Sequence, residues 1–284
     1  MTERFGVTVE PGVEIHVAID GPSDGEPVVL LHGFLGSGEQ WNANVEALVD
    51  AGFRVVRPDH RGHGRSTNTG DEASYTFEHL YRDALAVIDG LIDETVHLVG
   101  HSMGGLVAEL IATRDPERLR SVVFVDCSPL PGRGDSIRAD RVRRFLGYRL
   151  GVARLIRWTS PVLRHVKTGS APDRTTVDRK EGLAGLERSV SSMDPAAFVA
   201  FGAHLNEHDD LRPAVRTVEL PTTIMVGEFE IARLREGAEA LRDAIPHATF
   251  VEIEGAGHSP NIEQPTRFDE ALLTHLSREP GRVS

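Results

Sequence analysis

A serine, a histidine and a carboxylate stand on short, glycine-rich loops of this 284-residue chain, in a pattern that could support nucleophilic catalysis. Ser102 lies in Gly100-His101-Ser102-Met103-Gly104. A G-x-S-x-G turn from strand to helix is sharp and strained, so larger neighbours would clash, and it lifts the serine hydroxyl clear of the backbone. His258 lies in Gly255-Ala256-Gly257-His258-Ser259-Pro260. An imidazole on such a loop can swing toward a serine and act as its general base. A carboxylate must then orient and charge-compensate the imidazole. Ile224-Met225-Val226-Gly227-Glu228-Phe229-Glu230 offers Glu230, with Glu228 beside it, and Asp126 at the end of an earlier strand is a rival. The chemistry open to this set is acyl transfer: attack on a carbonyl, an acyl intermediate, then its hydrolysis by water.

Such a reaction also needs two convergent backbone N–H groups to hold the developing oxyanion. Met103, directly after the serine, supplies one candidate. Phe34, in His32-Gly33-Phe34-Leu35-Gly36, supplies the other. Each motif also has a plainer reading. A G-x-S-x-G can be a tight turn with a passive serine, a glycine loop can be only a turn, and most of 13 histidines belong on a surface. What sets these residues apart is where each falls relative to the strands.

The strands are legible as short apolar or β-branched runs. Phe5–Val9 and Val13–Ala18 flank Glu10-Pro11-Gly12 and read as a hairpin. Val28–Leu31 is a continuous apolar run of the kind buried on both faces. Arg54–Arg57, Val96–Val99, Ser121–Val125, Thr222–Val226 and Thr249–Ile253 follow. Helical patterns alternate with them over about 39–51, 76–90, from after Gly100 to about 114, 231–244 and 265–277. That alternation is the signature of βαβ units around a mostly parallel sheet. Ser37 and Gln40 are spaced as a capping box for the first of these helices. Between 129 and 217 no strand signal stands out, and Arg, Leu and Val recur at helical spacing, so this stretch reads as a helical insertion.

Charge divides the chain in the same place. Net charge is −12, yet 131–216 carries 16 Lys and Arg against 10 Asp and Glu, which leaves −18 for the rest. An acidic chain of this kind is a poor nucleic-acid partner, because phosphate binding needs a basic surface. No stretch reaches the roughly 18 apolar residues of a membrane span. One cysteine, Cys127, fits a reducing compartment, and the first residues carry no apolar leader, so the expected location is cytoplasmic. Basic residues between Arg141 and Lys167 interleave with apolar ones. Their apolar stripes would pack the insertion onto the core, with Phe145 and Trp158 placed to line an acyl pocket. A secondary reading sets the basic face against an anionic substrate or a membrane surface.

Two other patterns compete for attention. His204-Leu205-Asn206-Glu207-His208 fits an H-x-x-E-H zinc signature, but no third ligand follows in a matching context. Cys127 lacks a base of its own and reads as a small buried residue at a strand end. The expectation is therefore a reaction without metal or cofactor.

The motifs taken together resemble the α/β-hydrolase fold family, and within it the capped, esterase-like members. His32-Gly33-Phe34, the run from Pro58-Asp59-His60-Arg61-Gly62 to Ser66, Gly100-His101-Ser102-Met103-Gly104-Gly105 and Gly257-His258 carry the likeness. It covers nearly the whole chain apart from the insertion. It implies a doubly wound, mostly parallel sheet with an N-terminal hairpin, a core of 1–128 and 218–284, and a helical cap of 129–217. The order Ser, Glu, His along the chain matches nucleophile, acid and base. In similar proteins the Asp59–Ser66 stretch shapes the core, which assigns His60 and His63 a structural part. One departure is that the family usually has Asp where Glu230 stands. A serine at 102 also separates the chain from epoxide hydrolases and haloalkane dehalogenases, which use an aspartate nucleophile.

The function these features imply is hydrolysis of a small-molecule carboxylic ester or lactone by Ser102, His258 and Glu230, with Phe34 and Met103 as oxyanion amides. Carbon–carbon bond hydrolysis and thioester hydrolysis are the alternatives within the same chemistry. A ligand receptor with a retained, slow triad is the alternative from another class. The sequence leaves the oligomeric state open.

Overall fold

The structure is a computed structural model that describes residues 2–132, 134, 137–152, 185 and 188–277. It opens with the expected hairpin, β1 (Glu3–Glu10) and β2 (Val13–Asp20), closed by a turn in which Gly12 takes a positive φ of 83°. β3 (Pro27–Leu31), α1 (Asn42–Asp50), β4 (Arg54–Pro58), α2 (Phe77–Leu91), β5 (Val96–His101), α3 (Met103–Arg114) and β6 (Leu119–Val125) follow in strict alternation. The stretch expected as an insertion contributes α4 (Ile137–Leu150), α5 (Pro195–Glu207) and α6 (Arg212–Val215), and no strand among its described residues. β7 (Thr222–Gly227), α7 (Ala232–Ala244), β8 (Thr249–Ile253), α8 (Pro260–Glu263) and α9 (Pro265–Leu276) complete the chain.

All eight strands form one sheet in the order β1-β2-β4-β3-β5-β6-β7-β8. β1 and β2 run antiparallel and every pair from β4–β3 onward is parallel. The pleat sends alternate residues of each strand to opposite faces. Val29, Leu31, Leu98, Phe124 and Ile224 join α2, α3 and α7 in one core. Val28, Leu30, Val99, Val123 and Met225 meet α1 and α9 in the other. This is why β3 reads as unbroken apolar sequence: helices cover both of its faces. Phe198, Val199 and Phe201 of α5 extend the first core, so the insertion is anchored to the sheet by apolar burial.

Local chemistry at the start of α1 differs from the expected capping box. Ser37 does accept from a backbone amide, that of Glu39, but it caps a 3₁₀ turn at Gly38–Trp41, and the α-helix begins only at Asn42. Gln40 turns inward instead of back to the cap. Its Oε1 accepts from Gly33 N–H at 3.1 Å, and its Nε2 donates to His101 Nδ1 at 2.9 Å. Phe145 is exposed and does not reach the cavity described below; Trp158 lies outside the described residues.

Candidate active site

The parallel strands all end at one edge of the sheet, and the loops leaving those ends converge there, as open α/β sheets require. β5 pairs with β6 so that His101 faces Val125, and Ser102 N–H then donates to the Val125 carbonyl at 2.8 Å. Asp126 N–H donates to the Met225 carbonyl at 3.0 Å, which ties the end of β6 to β7. Ser102 has φ 51° and ψ −111°, a left-handed conformation that a side chain tolerates only at a cost. The glycines explain how the turn closes. A Cβ on Gly100 would stand 2.3 Å from the Gly104 carbonyl oxygen, and one on Gly104 would stand 2.5 Å from that of Leu31.

Three non-glycine residues have positive φ among those described: Leu35 at 71°, Ser102 at 51° and Asp126 at 43°. They leave β3, β5 and β6 respectively. Backbone strain of this kind costs of order 1–3 kcal/mol per residue and concentrates at functional sites. Neither Leu35, inside the His32–Gly36 loop, nor Asp126 is a glycine, so residue type did not mark either position for it.

Ser102, His258 and Glu230 come together. Ser102 Oγ lies 3.1 Å from His258 Nε2, and His258 Nδ1 lies 2.5 Å from Glu230 Oε2. The carboxylate fixes the tautomer: Nδ1–H donates to Glu230, which leaves Nε2 free to accept the serine proton. Glu230 Oε1 accepts from Ile231 N–H at 2.6 Å, so both oxygens are held. Burial works to lower the His258 pKa, but the hydrogen bond and charge of Glu230 outweigh it and hold it above the usual histidine value. Burial likewise works to raise Glu230, and the bond to His258 overcomes that and lowers it. Glu228 is turned elsewhere, accepting from Gly255 N–H at 2.8 Å.

Asp126 lies against Glu230 and makes no hydrogen bond to His258. Its Oδ1 accepts from Gly227 N–H at 3.0 Å, and its buried Oδ2 has no hydrogen-bond partner within reach. Burial first, and then the nearby Glu230 carboxylate, push its pKa well up, toward the neutral acid. The two carboxylates that sequence could not separate are thus in opposite electrostatic states.

The backbone amides of Phe34 and Met103 donate to no acceptor among the described residues. The Phe34 loop is held by a cluster of buried imidazoles. His32 Nδ1–H donates to the Gly33 carbonyl at 2.8 Å, while its Nε2 accepts from His60 N–H at 2.9 Å. His60 Nε2–H returns a bond to the His32 carbonyl at 3.1 Å, and the His32 and His60 rings lie 4.3 Å apart. His63 Nδ1–H donates to the Arg61 carbonyl at 3.1 Å. Burial, first among the causes, drives all three rings to the neutral form, with His60 brought down to about 3 and His63 to about 4.

Sequence reasoning missed His101 and Gln40. His101 Nε2–H donates to the main-chain carbonyl of His258 at 2.6 Å, and its other nitrogen accepts from Gln40. Position 101 is the free x of G-x-S-x-G, so its motif gave no sign of this. His101, Asp126 and His258 place one ligand atom each within 4.8 Å of one another, close enough to suggest a metal. Both nitrogens of His101 and of His258 are already engaged, however, and could ligate only by breaking the bonds just described. His204 and His208 each face the Phe77 ring at 6.3 Å, and His208 Nδ1–H donates to the Asp209 carbonyl at 3.0 Å. Cys127 is buried against Glu109, and burial, then Glu109, push its thiol well above the usual range, so it is a poor nucleophile.

Ser102 opens onto a cavity of about 410 Å³ with Phe34, Leu106, Cys127, Phe198 and Leu205 among its walls. The Phe34 and Phe198 rings are stacked, 5.8 Å apart at 17°, so the insertion forms part of the wall. Another hollow, of about 580 Å³, lies by the opposite ends of the strands and is lined by Thr95, Glu117, Arg120 and Glu219, with no serine or histidine.

Residues 26–265 match the α/β-hydrolase fold family. The chain belongs to that family. As an α/β hydrolase it is 39% identical over 264 residues to RutD of Variovorax paradoxus, a carbamate hydrolase by name, covering 93% of this chain and 96% of that one. Among solved structures it resembles an enol-lactonase from Burkholderia xenovorans, with TM-score 0.77 and 26% identity over 95% of this chain and 99% of the other. It also resembles a thermophilic esterase from Thermogutta terrifontis, with TM-score 0.73 and 30% identity over 96% and 98%. This α/β hydrolase has no helix among its described residues long and apolar enough to cross a membrane.

Proposed function

We propose that this α/β hydrolase cleaves a carboxylic ester or lactone by a serine mechanism, with 129–217 as a cap over a small-molecule site. The observation that carries the reading is the unbroken line Ser102 Oγ, His258 Nε2, His258 Nδ1, Glu230 Oε2, with contacts of 3.1 and 2.5 Å. These distances are within the reach a nucleophile and base need. His258 takes the Ser102 proton as Oγ bonds to the carbonyl carbon, and the carbonyl electron pair moves onto oxygen. The Phe34 and Met103 N–H groups are free to receive that oxyanion. As the intermediate collapses, the bond to the leaving oxygen breaks and His258 returns the proton to it. Water then repeats the sequence on the acyl-enzyme, and the acid leaves with Ser102 restored. Glu230 stabilises the imidazolium at each stage.

The names of the relatives, for carbamate, enol-lactone and ester, all describe an acyl carbon bonded to a heteroatom, which supports the reaction class. The test is covalent labelling by a fluorophosphonate together with turnover of a short p-nitrophenyl ester. Wild type should do both and Ser102→Ala neither, with unchanged circular dichroism. Persistent turnover in a folded Ser102→Ala protein would remove Ser102 as nucleophile. A panel of acyl esters, lactones and thioesters measured side by side would then fix the bond preferred.

A further inference from the structure

We infer that Arg233 selects substrates that carry a second, anionic group, a carboxylate remote from the scissile carbonyl. The preferred class is then monoesters of dicarboxylic acids, or lactones bearing a free carboxylate. This rests on the serine hydrolase reading of the same cavity and narrows its substrate.

Arg233 lines the cavity that holds Ser102. It is the second residue of α7 and is only partly exposed. Every neighbouring arginine in a position to compare is engaged. Arg143, in the same cavity, donates to Asp140 at 2.8 Å and to the Gly202 carbonyl at 3.1 Å. Arg235, two residues on, reaches Glu252 at 2.6 Å and the carbonyls of Gly227 and Glu228. Arg233 makes no hydrogen bond or ion pair with any described residue, and the first turn of α7 holds no acidic residue to neutralise it. A guanidinium has five N–H donors in a planar fork that matches a carboxylate, and withdrawing it from water without an acceptor is costly.

Among the described residues of the lining, no carboxylate pairs with it. Asp126 is the acidic residue of its lining, and burial with the Glu230 charge drives that carboxyl toward the neutral form. His208, also in the lining, is pulled below the usual histidine value by burial, with the Arg233 charge acting in the same direction. Two arginines in the lining of one cavity are a local concentration of positive charge in a chain of net charge −12. The other walls include Leu106, Phe198, Leu205 and Leu234, which suit a short methylene chain joining an ester to a distal carboxylate.

The experiment compares monoethyl esters of malonic to adipic acid with their neutral methyl-ketone isosteres, following hydrolysis by proton release near neutral pH. In wild type the best monoester should exceed its isostere by about tenfold or more in kcat/KM, mainly through a lower KM, as a charge-assisted bond predicts. Raising sodium chloride from about 20 to about 500 mM should shrink that ratio several-fold through screening. Arg233→Gln should bring the ratio near one, Arg233→Lys should keep most of it, and Arg233→Glu should invert it, each variant checked for native circular dichroism. A wild-type ratio near one for every pair would overturn the inference without recourse to a variant, as would a ratio unchanged in folded Arg233→Gln. If neutral ethyl esters are cleaved with no anionic preference, the serine hydrolase reading survives and the role of Arg233 does not. If no ester is cleaved and Ser102 takes no fluorophosphonate label, the reading of the site fails and takes the role of Arg233 with it.

Discussion

His101 Nε2–H donates to the main-chain carbonyl of His258 at 2.6 Å, so the residue preceding the serine holds the loop that carries the histidine. Gln40 completes the arrangement by donating to His101 and accepting from Gly33, next to Phe34. One buried amide therefore ties the Phe34 loop to the His258 loop. Gln40→Leu has similar bulk but none of these bonds. It should lower kcat about 10–100-fold with little change in KM, since displacement of reacting groups by about 1 Å costs on this scale. Steady-state kinetics on a p-nitrophenyl ester, with melting temperature as a folding check, will show whether the loss is in kcat. A variant that turns over like wild type would leave Gln40 with packing alone.

Glu230 and Asp126 differ in charge state, and that difference is testable. Glu230→Gln keeps the size and removes the charge that stabilises the His258 imidazolium. A loss of about 10²–10⁴ in kcat is expected, by analogy with an Asp-to-Asn change in a protease triad. Asp126→Asn replaces an acid already pushed toward neutrality with another neutral group, and should cost less than about tenfold. The double variant should match Glu230→Gln. A crippled Asp126→Asn beside a mild Glu230→Gln would transfer the acid's role to the end of β6.

The pH profile follows from His258. In the proposed mechanism its unprotonated form accepts the serine proton, and Glu230 holds its pKa above the ordinary value of about 6.5. The acid limb of kcat/KM should therefore have its midpoint above about 6.5, and activity should fall as pH drops through it. In Glu230→Gln the residual activity should show that midpoint shifted to lower pH, because the largest raising influence is gone and burial remains. A limb at the same pH in both proteins would separate the titrating group from Glu230.

Acid stability is a separate prediction, set by the imidazoles that hold the Phe34 loop. His60 and His101 are brought down to about 3 and His63 to about 4, with burial the leading cause in each. In the unfolded chain they would titrate near 6.5. Below that pH the unfolded state binds more protons than the folded one, so the stability these groups contribute is complete above about 6.5 and is lost as pH falls toward their folded values. With three protons the slope is up to roughly 4 kcal/mol per pH unit. Urea midpoints measured from pH 8 down to pH 5 should drop steeply below about 6.5. A midpoint that stays level to pH 5 would mean the cluster accepts protons without unfolding.

Sequence by itself determined the sheet, its two-sided burial and the three catalytic candidates. Those properties are local: Val28–Leu31 is apolar throughout because both faces are covered, and Gly100 and Gly104 are required by backbone approaches of 2.3 and 2.5 Å. Tertiary structure alone decided which carboxylate meets His258. Glu230 and Asp126 both follow strand ends, and only the pairing of β6 with β7 turns one toward the imidazole and closes the other against Gly227 N–H. It likewise decided the roles of Gln40 and His101, which are 61 residues apart and meet because β3 and β5 are neighbours in the sheet. Arg233 belongs to the same class. Its type and helical position were plain in the chain, but that it lines the Ser102 cavity without a partner among the described residues depends on where the charges of the other elements came to rest.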